Sequence, residues 1–585
     1  MITAISAAPD GNNKILIFDN GANPVYITVE EGAEGNIAVA PGKARTTVKS
    51  DLIITHNGTG LLTYHNKNWF DDEDAKRFVY KEGPGTLLFG ITGWKFGGGL
   101  VIRNGRVKTI LDSAFGTGTL TMTGGGLSSI GNEQRWFTNS FFFANSLTFC
   151  DSTDTGTLVF GPQAVGTLMS NTVMNTQGNG LILQGPIGDN GMNRTLTKIG
   201  SGNLALASAN SYGGGTILGQ GRIRIGNNES FGTGSLTVTN GAISSNSAGD
   251  RFLTNNYFFA NSITLGHAAE PGALEFSGSG TLTADTTLEI IVDTTLSSAI
   301  GQSGGDWSLT KTGPGVLKFT LAQINTFAGG LFVKEGTLAV NNSHDRLGSG
   351  AVTLDGGTLR YIGVTANGTI HRDLIIGDNG GTLELNTNER YINWNKTLSG
   401  SGTLTKTGIG PLIIDATITH TGAVTVAQGL MQVNQTYPQG GAVTVQSGGA
   451  IGGTGIIERD CTIASGGKID PGAFSIGTLT LDTLSVETNT VYLLEIDGAS
   501  NDCVAVNENL TLPETFNITV SQSAPAPIRN KVIFTYGGEY NGPQSAIVTA
   551  DGDVDPDARY EIIHVAQEKQ VLFQRAPEGT VILGR

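Results

Sequence analysis

The sequence predicts an all-β chain folded as a right-handed parallel β-helix, with small β modules or caps at both ends. Three observations lead there: a recurring glycine-punctuated motif, alternating apolar residues within each run, and a composition poor in charge. The motif is clearest at residues 309–341, LTKTGPGVLKFTLAQINTFAGGLFVKEGTLAVN, and looser copies start near residues 79, 196 and 404. Their turn lysines, Lys81, Lys198, Lys311 and Lys406, fall 117, 113 and 95 residues apart. Glycine supplies 86 of 585 residues, and charged residues are 15%, against roughly 25% in ordinary globular chains. Most polar surface is therefore neutral hydrogen-bonding groups, which suits stacked strands with many turns.

A finer period lies inside the long one. Thr-Leu pairs recur at Thr337-Leu338, Thr358-Leu359, Thr382-Leu383 and Thr403-Leu404, in steps of 21, 24 and 21. Each step holds short runs with apolar residues at alternate positions, such as Leu331, Val333, Leu338 and Val340, so one face of every run is buried. A unit of that size cannot bury its face alone, so its neighbours must stack on it. Parallel coils satisfy the backbone at this period, and parallel crossovers are overwhelmingly right-handed. About 20 coils with strands about 4.8 Å apart predict a rod on the order of 100 Å long.

In chain order, residues 1–78 carry short strand-like runs (KILIFD, PVYITVEE, DLIITH) and read as an N-terminal β module, a cap or the first irregular turns. The charged cluster DDEDAK at residues 71–76 marks a joint. Residues 79–478 form the helix proper. Within it the stretch from Phe115 matches the stretch from Phe231 at an offset of 116, pairing Phe141, Phe142 and Phe143 with Tyr257, Phe258 and Phe259 as core or corner ladders. Residues 479–585 read as closing coils and a β cap or assembly module, interrupted by SAPAP. A bare solenoid end exposes an unpaired edge, and both ends carry the modules a cover requires.

The order LTKxGxGxL, then N-x-(Y/F)-x-G-G, then V-x-x-G-x-L resembles the autotransporter-associated β-strand repeat in passenger regions of bacterial surface proteins. The segment GGKIDPGAFSIGTLTLDTL from Gly466 resembles the stretch that closes such passengers. The resemblance covers about residues 79–512 and implies a parallel β-helix exposed on or released from a cell; it carries no common catalytic residues. A conventional member would continue into a membrane barrel of several strands. The 73 residues after 512 are too few for one, so self-translocation is not expected from this sequence.

Chemistry is searched for next. A formal charge of −15 with no basic run excludes a nucleic-acid partner. No apolar stretch is long enough for a transmembrane helix, and MITAISAAPDG shows no signal peptide. Cys150, Cys461 and Cys503 are too few and too scattered for a disulfide framework and read as small buried residues. No histidine pair has metal-ligand spacing. His344-Asp345-Arg346 and His371-Arg372-Asp373, about one coil apart, could converge for acid-base work, with solvated loops as the alternative. The run DGDVDPD places Asp551, Asp553, Asp555 and Asp557 at alternate positions. An EF-hand needs Gly at its sixth position and Glu at its twelfth; with Pro556 and Ile562 there, the alternatives are a polar turn or an irregular calcium site. Trp94, Trp136, Trp307 and Trp394 are corner residues or a sugar groove.

The expected function is non-enzymatic: an extracellular or surface shaft, adhesin or fibre subunit, meeting other copies of itself through its terminal modules, without a cofactor unless calcium binds. The rival is a polysaccharide-binding or polysaccharide-cleaving β-helix, whose partners are surface glycans.

Overall fold

Alternation dictates which way each residue points, and the observed strands follow it. The structure, a computed structural model, describes residues 15–31, 37–39, 45–64, 68–71, 76–90, 94–320, 324–341, 346–363, 366–386, 390–523 and 528–577. Those residues contain strands and turns and no helix. The chain divides into two units, residues 1–298 and 299–585.

In the first unit the chain winds round three parallel ladders. One stacks Val25–Val29, Leu52–His56, Phe78–Glu82, Gly99–Ile102 and Thr119–Met122 in unbroken register. The strand that follows in each winding builds the second: Ile37–Val39, Leu61–Tyr64, Thr86–Phe89, Arg106–Thr109 and Gly126–Ser129. Ile15–Phe18, Arg45–Val48, Asn68–Asp71 and Trp94–Lys95 open the third. The described strands of residues 1–78 thus pair in register with those that follow, as first turns of the solenoid would. Most of the charged joint, residues 72–75, lies outside the described residues.

The duplication shows in three dimensions. Phe141–Phe149 and Gly166–Thr176 each run round a corner as one bent strand, as do Tyr257–Leu265 and Gly280–Ile290. At the bends Asn145 and Asn261 have φ of 60° and 58°, a region Asn tolerates, and their amides donate to the carbonyls of Thr123 and Thr239 one winding earlier. Phe141, Phe143, Tyr257 and Phe259 are buried while Phe142 and Phe258 are half-buried, as alternation requires. Phe115, Phe137 and Phe160 stack successively with ring centroids 4.8 and 5.2 Å apart, an aromatic ladder inside the core.

The second unit repeats the scheme. Leu309–Thr312, Leu331–Val333, Val352–Leu354, Leu374–Ile376, Thr397–Gly400 and Thr417–Ile418 form one ladder. The next is Val316–Phe319, Thr337–Asn341, Thr358–Ile362, Gly381–Asn386, Leu404–Thr407 and Val424–Val426. Nothing changes at 478: Ile456–Ile463 pairs in parallel with Thr478–Val486, and the windings continue past it.

Apart from a short antiparallel turn between Val491–Asp497 and Ser500–Asn501, the pattern among the described strands changes near the C-terminal end, where pairing becomes antiparallel. Tyr560–Val565 and Gln570–Arg575 form a hairpin whose second strand covers the outer edge of Lys531–Tyr536, and whose first strand pairs with the start of Ser545–Gly552. A ladder that would template another strand is therefore closed. Truncating the chain before Tyr560 should expose that edge and the core face that Val571 and Phe573 cover, so that the truncated chain aggregates more than the full chain by light scattering. An unaggregated truncated chain with an unchanged melting temperature would contradict the capping role.

Candidate functional site

The four motif lysines do not reach solvent. Each sits at an inward ladder position: Lys81 beside Ile102, Lys198 between Met174 and Leu218, Lys311 beside Val333, and Lys406 between Leu383 and Val426. The aliphatic stem thus continues an apolar stack, and all four residues are 0% exposed.

Every ammonium ends on three backbone carbonyls. Two belong to its own turn and one to the winding above. Lys198 donates to Ile199 (2.8 Å), Gly200 (2.7 Å) and Gln220 (3.0 Å). Lys406 does the same to Thr407, Gly408 and Gln428, Lys311 to Thr312, Gly313 and Glu335, and Lys81 to Glu82, Gly83 and Asn104. The motif is explained residue by residue. Lys-x-Gly supplies the clamp and its first two acceptors, and the residue before the later glycine supplies the third.

That later glycine must be glycine. Gly221 has φ +77°, and a Cβ there would lie 2.3 Å from the Gly200 carbonyl oxygen and 2.7 Å from the Lys198 ammonium. The middle of the motif is also structural. Asn210 accepts from the Ile187 amide below (2.8 Å) and donates to the Ser230 carbonyl above (2.6 Å); Asn325 does the same with Ile300 and Arg346. The aromatic two residues later, Tyr212 or Phe327, is fully buried. In the last copy His420 takes that place, also fully buried, held by the Gly402 carbonyl and the Tyr437 hydroxyl, each at 2.8 Å. Arg459 lies 4.3 Å over the Tyr437 ring and donates to the carbonyls of Pro438, Gly422, Gly441 and His420.

Successive copies do not lie above one another. In the first unit Lys81 is on the ladder of Phe78–Glu82, whereas Lys198 is on the ladder that contains the next strand, Thr86–Phe89. In the second unit Lys311 and Lys406 stand in the same relation. Within each unit the later copy has stepped one face round the solenoid.

Burial pulls the ammonium values down from 10.5, to about 8 for Lys81 and Lys311 and about 7 for Lys198 and Lys406, while Glu82 and Glu335 act upward on the first pair. A depressed folded value means the unfolded chain binds more protons between about 7 and 10.5, so this contribution is complete above 10.5 and lost as pH falls through 7 to 8. Asp470 and Asp502 act oppositely. Burial raises both to about 7, reinforced by neighbouring carboxylates, so their contribution is complete below 3.8 and lost as pH rises through 7. The urea midpoint should therefore pass through a minimum near neutral pH and rise toward pH of about 9.5. A midpoint that falls steadily over that alkaline range would contradict the assignment.

The other sequence candidates are dispersed. Asp553 accepts from the Gln522 amide (2.9 Å), Asp555 faces Arg575 (3.4 Å) and accepts from the Asp557 amide, and Asp551 sits in a strand opposite Thr519. Among the described residues no three His, Cys, Asp or Glu side chains are arranged to hold a metal ion. His344 and Asp345 lie outside the described residues, His371 pairs with Asn395 (2.9 Å), and Arg372 donates to the Gly348 carbonyl. Trp394 is buried, Trp307 donates to the Ser303 carbonyl, and Trp136 is exposed. Cys150 and Cys461 are buried and Cys503 half-buried; burial raises all three thiols, to about 11, 12 and 11.

Sequence reasoning missed the ion clusters. Arg106 and Lys108 meet Asp151 and Asp154, and 116 residues on Arg222 and Arg224 meet Glu270, which also accepts from Ser244 (2.9 Å). The offset alone could have paired them. These partners are two windings apart, so they tie the stack lengthwise.

The profile of the passenger-associated-transport-repeat matches residues 196–225, 309–340 and 404–433, the three copies whose clamps start at Lys198, Lys311 and Lys406. A stretch of 250 residues, 36% of the chain, is 28% identical to the adhesin BmaC autotransporter of Brucella suis biovar 1 (strain 1330). It spans 7% of that relative's length. Three of the four clamped turns thus coincide with copies that match the passenger-associated-transport-repeat, and the chain carries that repeat.

Proposed function

We propose that the chain is a non-enzymatic structural element of the bacterial surface, a β-solenoid shaft that serves adhesion. The carrying observation is the clamp. What all four copies share is the lysine and its glycines, to which the copies of Lys198 and Lys311 add an Asn and a buried aromatic, and each of these closes a turn or joins adjacent windings. The repeat family implies a surface or secreted location, and the similar relative is named as an adhesin. Ladders bonded from winding to winding leave few local openings for proteases or bending. The covered edge at Lys531–Tyr536 favours a shaft working as a single chain over one that polymerises through that strand.

Displaying the chain on a non-adherent bacterium tests both halves of the proposal. Attachment to host cells or matrix should rise above that of an unrelated displayed solenoid, and the displayed chain should resist trypsin. Display at equal density without added attachment would sink the adhesive half. Rapid trypsin cleavage within residues 94–320 would sink the structural half.

A further inference from the structure

We propose that the cleft beside Phe252 binds a neutral sugar, with an equivalent site beside Trp136. This deepens the adhesive reading by naming a ligand chemistry, and it rests on that reading for its biological setting.

The cleft has a volume of about 380 Å³ and is lined by Glu229, Thr233, Ser235, Thr254, Asn255 and Asn256, among others. It lies at the small end of ligand clefts, which run from about 300 Å³ upward. Its floor is built: the buried Asn255 donates to the carbonyls of Gly232 (3.0 Å) and Gly234 (2.6 Å). Its walls are open for bonding. The hydroxyls of Thr233, Ser235 and Thr254 have no hydrogen-bond partner among the described residues. Asn256 spends its carbonyl oxygen on the Ser279 amide, leaving its NH₂ as a donor.

An exposed ring lies two residues from the lining. Phe252 and Thr254, the latter in the cleft wall, are both exposed on either side of the buried Leu253. Phe252 is 52% exposed, and its N–H is pinned by the Asn228 side chain (3.0 Å). The duplicate repeats this: Trp136 is 44% exposed, pinned by Asp112 (2.9 Å), followed by Thr138, and Asn139 donates to Gly116 and Gly118. A scattered exposed apolar residue is ordinary. An aromatic kept outward at the same place in both copies, beside the same amide-fixed floor, is matched to a ligand with one apolar face and a polar edge.

A pyranose ring has that shape, with C–H groups on its face and hydroxyls round its rim. Stacking on the phenyl ring would place the rim against free hydroxyls and amide donors. The charge is also selective. The lining holds a carboxylate, Glu229, and no lysine or arginine, which disfavours uronates and sulfated sugars.

Titration calorimetry of the full chain with cellohexaose, laminarihexaose and maltohexaose tests the site, with oligogalacturonate as the anionic comparison. At least one neutral hexasaccharide should bind. Phe252→Ala should weaken that binding about tenfold and Phe252→Ala/Trp136→Ala abolish it, with an unchanged melting temperature since both rings are exposed. No heat from any neutral probe at about 10 mM, equal binding of oligogalacturonate, or indifference to both substitutions would overturn the proposal. If the doubly substituted chain still attaches displayed cells while no hexasaccharide binds the native chain, the adhesive reading stands and this site falls.

Discussion

Replacing Lys198 with Met should open the turn at residues 199–203 and the winding above it. Methionine fills the channel between Met174 and Leu218 but offers no donor, so the carbonyls of Ile199, Gly200 and Gln220 lose their shared partner in a buried setting. Leaving a buried acceptor unmet costs about 1–3 kcal/mol, so three together should cost about 3 kcal/mol or more. A solenoid opens locally, so amide exchange around residues 199–222 is the suitable measurement, with denaturant unfolding as the second. Unchanged exchange there would show that the ammonium is dispensable.

Gly221→Ala should injure the same corner from the other side. A methyl group would stand 2.3 Å from the Gly200 carbonyl oxygen and 2.7 Å from the Lys198 ammonium, at φ +77°. The backbone conformation alone costs an L-residue about 1–2 kcal/mol, and a clash with fixed backbone adds to it, for a total of about 3–5 kcal/mol. Because both changes break one clamp, the double variant should lose less than the sum of the singles. Strict additivity would mean that lysine and glycine act independently, against the geometry.

Alternation at Leu331, Val333, Leu338 and Val340 was enough to fix the buried face and the stacking, because a side-chain period of two leaves no other choice once the unit is too small to stand alone. The role of the lysines was not legible for a physical reason: the third acceptor, 22 to 24 residues on, is a backbone atom that no side-chain pattern announces. The one-face step was hidden in the spacings, since 117 and 95 become fractions of a winding only when each winding's length is known. The C-terminal hairpin escaped because its strands resemble the parallel ones in composition and differ only in direction. The cleft escaped because it gathers Asn210, Ser235 and Asn256 from successive windings. The acidic run from Asp551 stood out in sequence, yet its members spread onto separate amides and an arginine.

The step of one face between copies bears on how the first unit can meet a target. Trp136 and Phe252 belong to copies that have advanced by one side, so they look in different directions. A planar surface laid along the unit can touch one ring and not its twin, and a straight glycan strand cannot bridge both. Copying has therefore broadened the range of approach and left avidity for any single flat target unchanged; only a curved or flexible ligand that wraps the unit could engage the pair together.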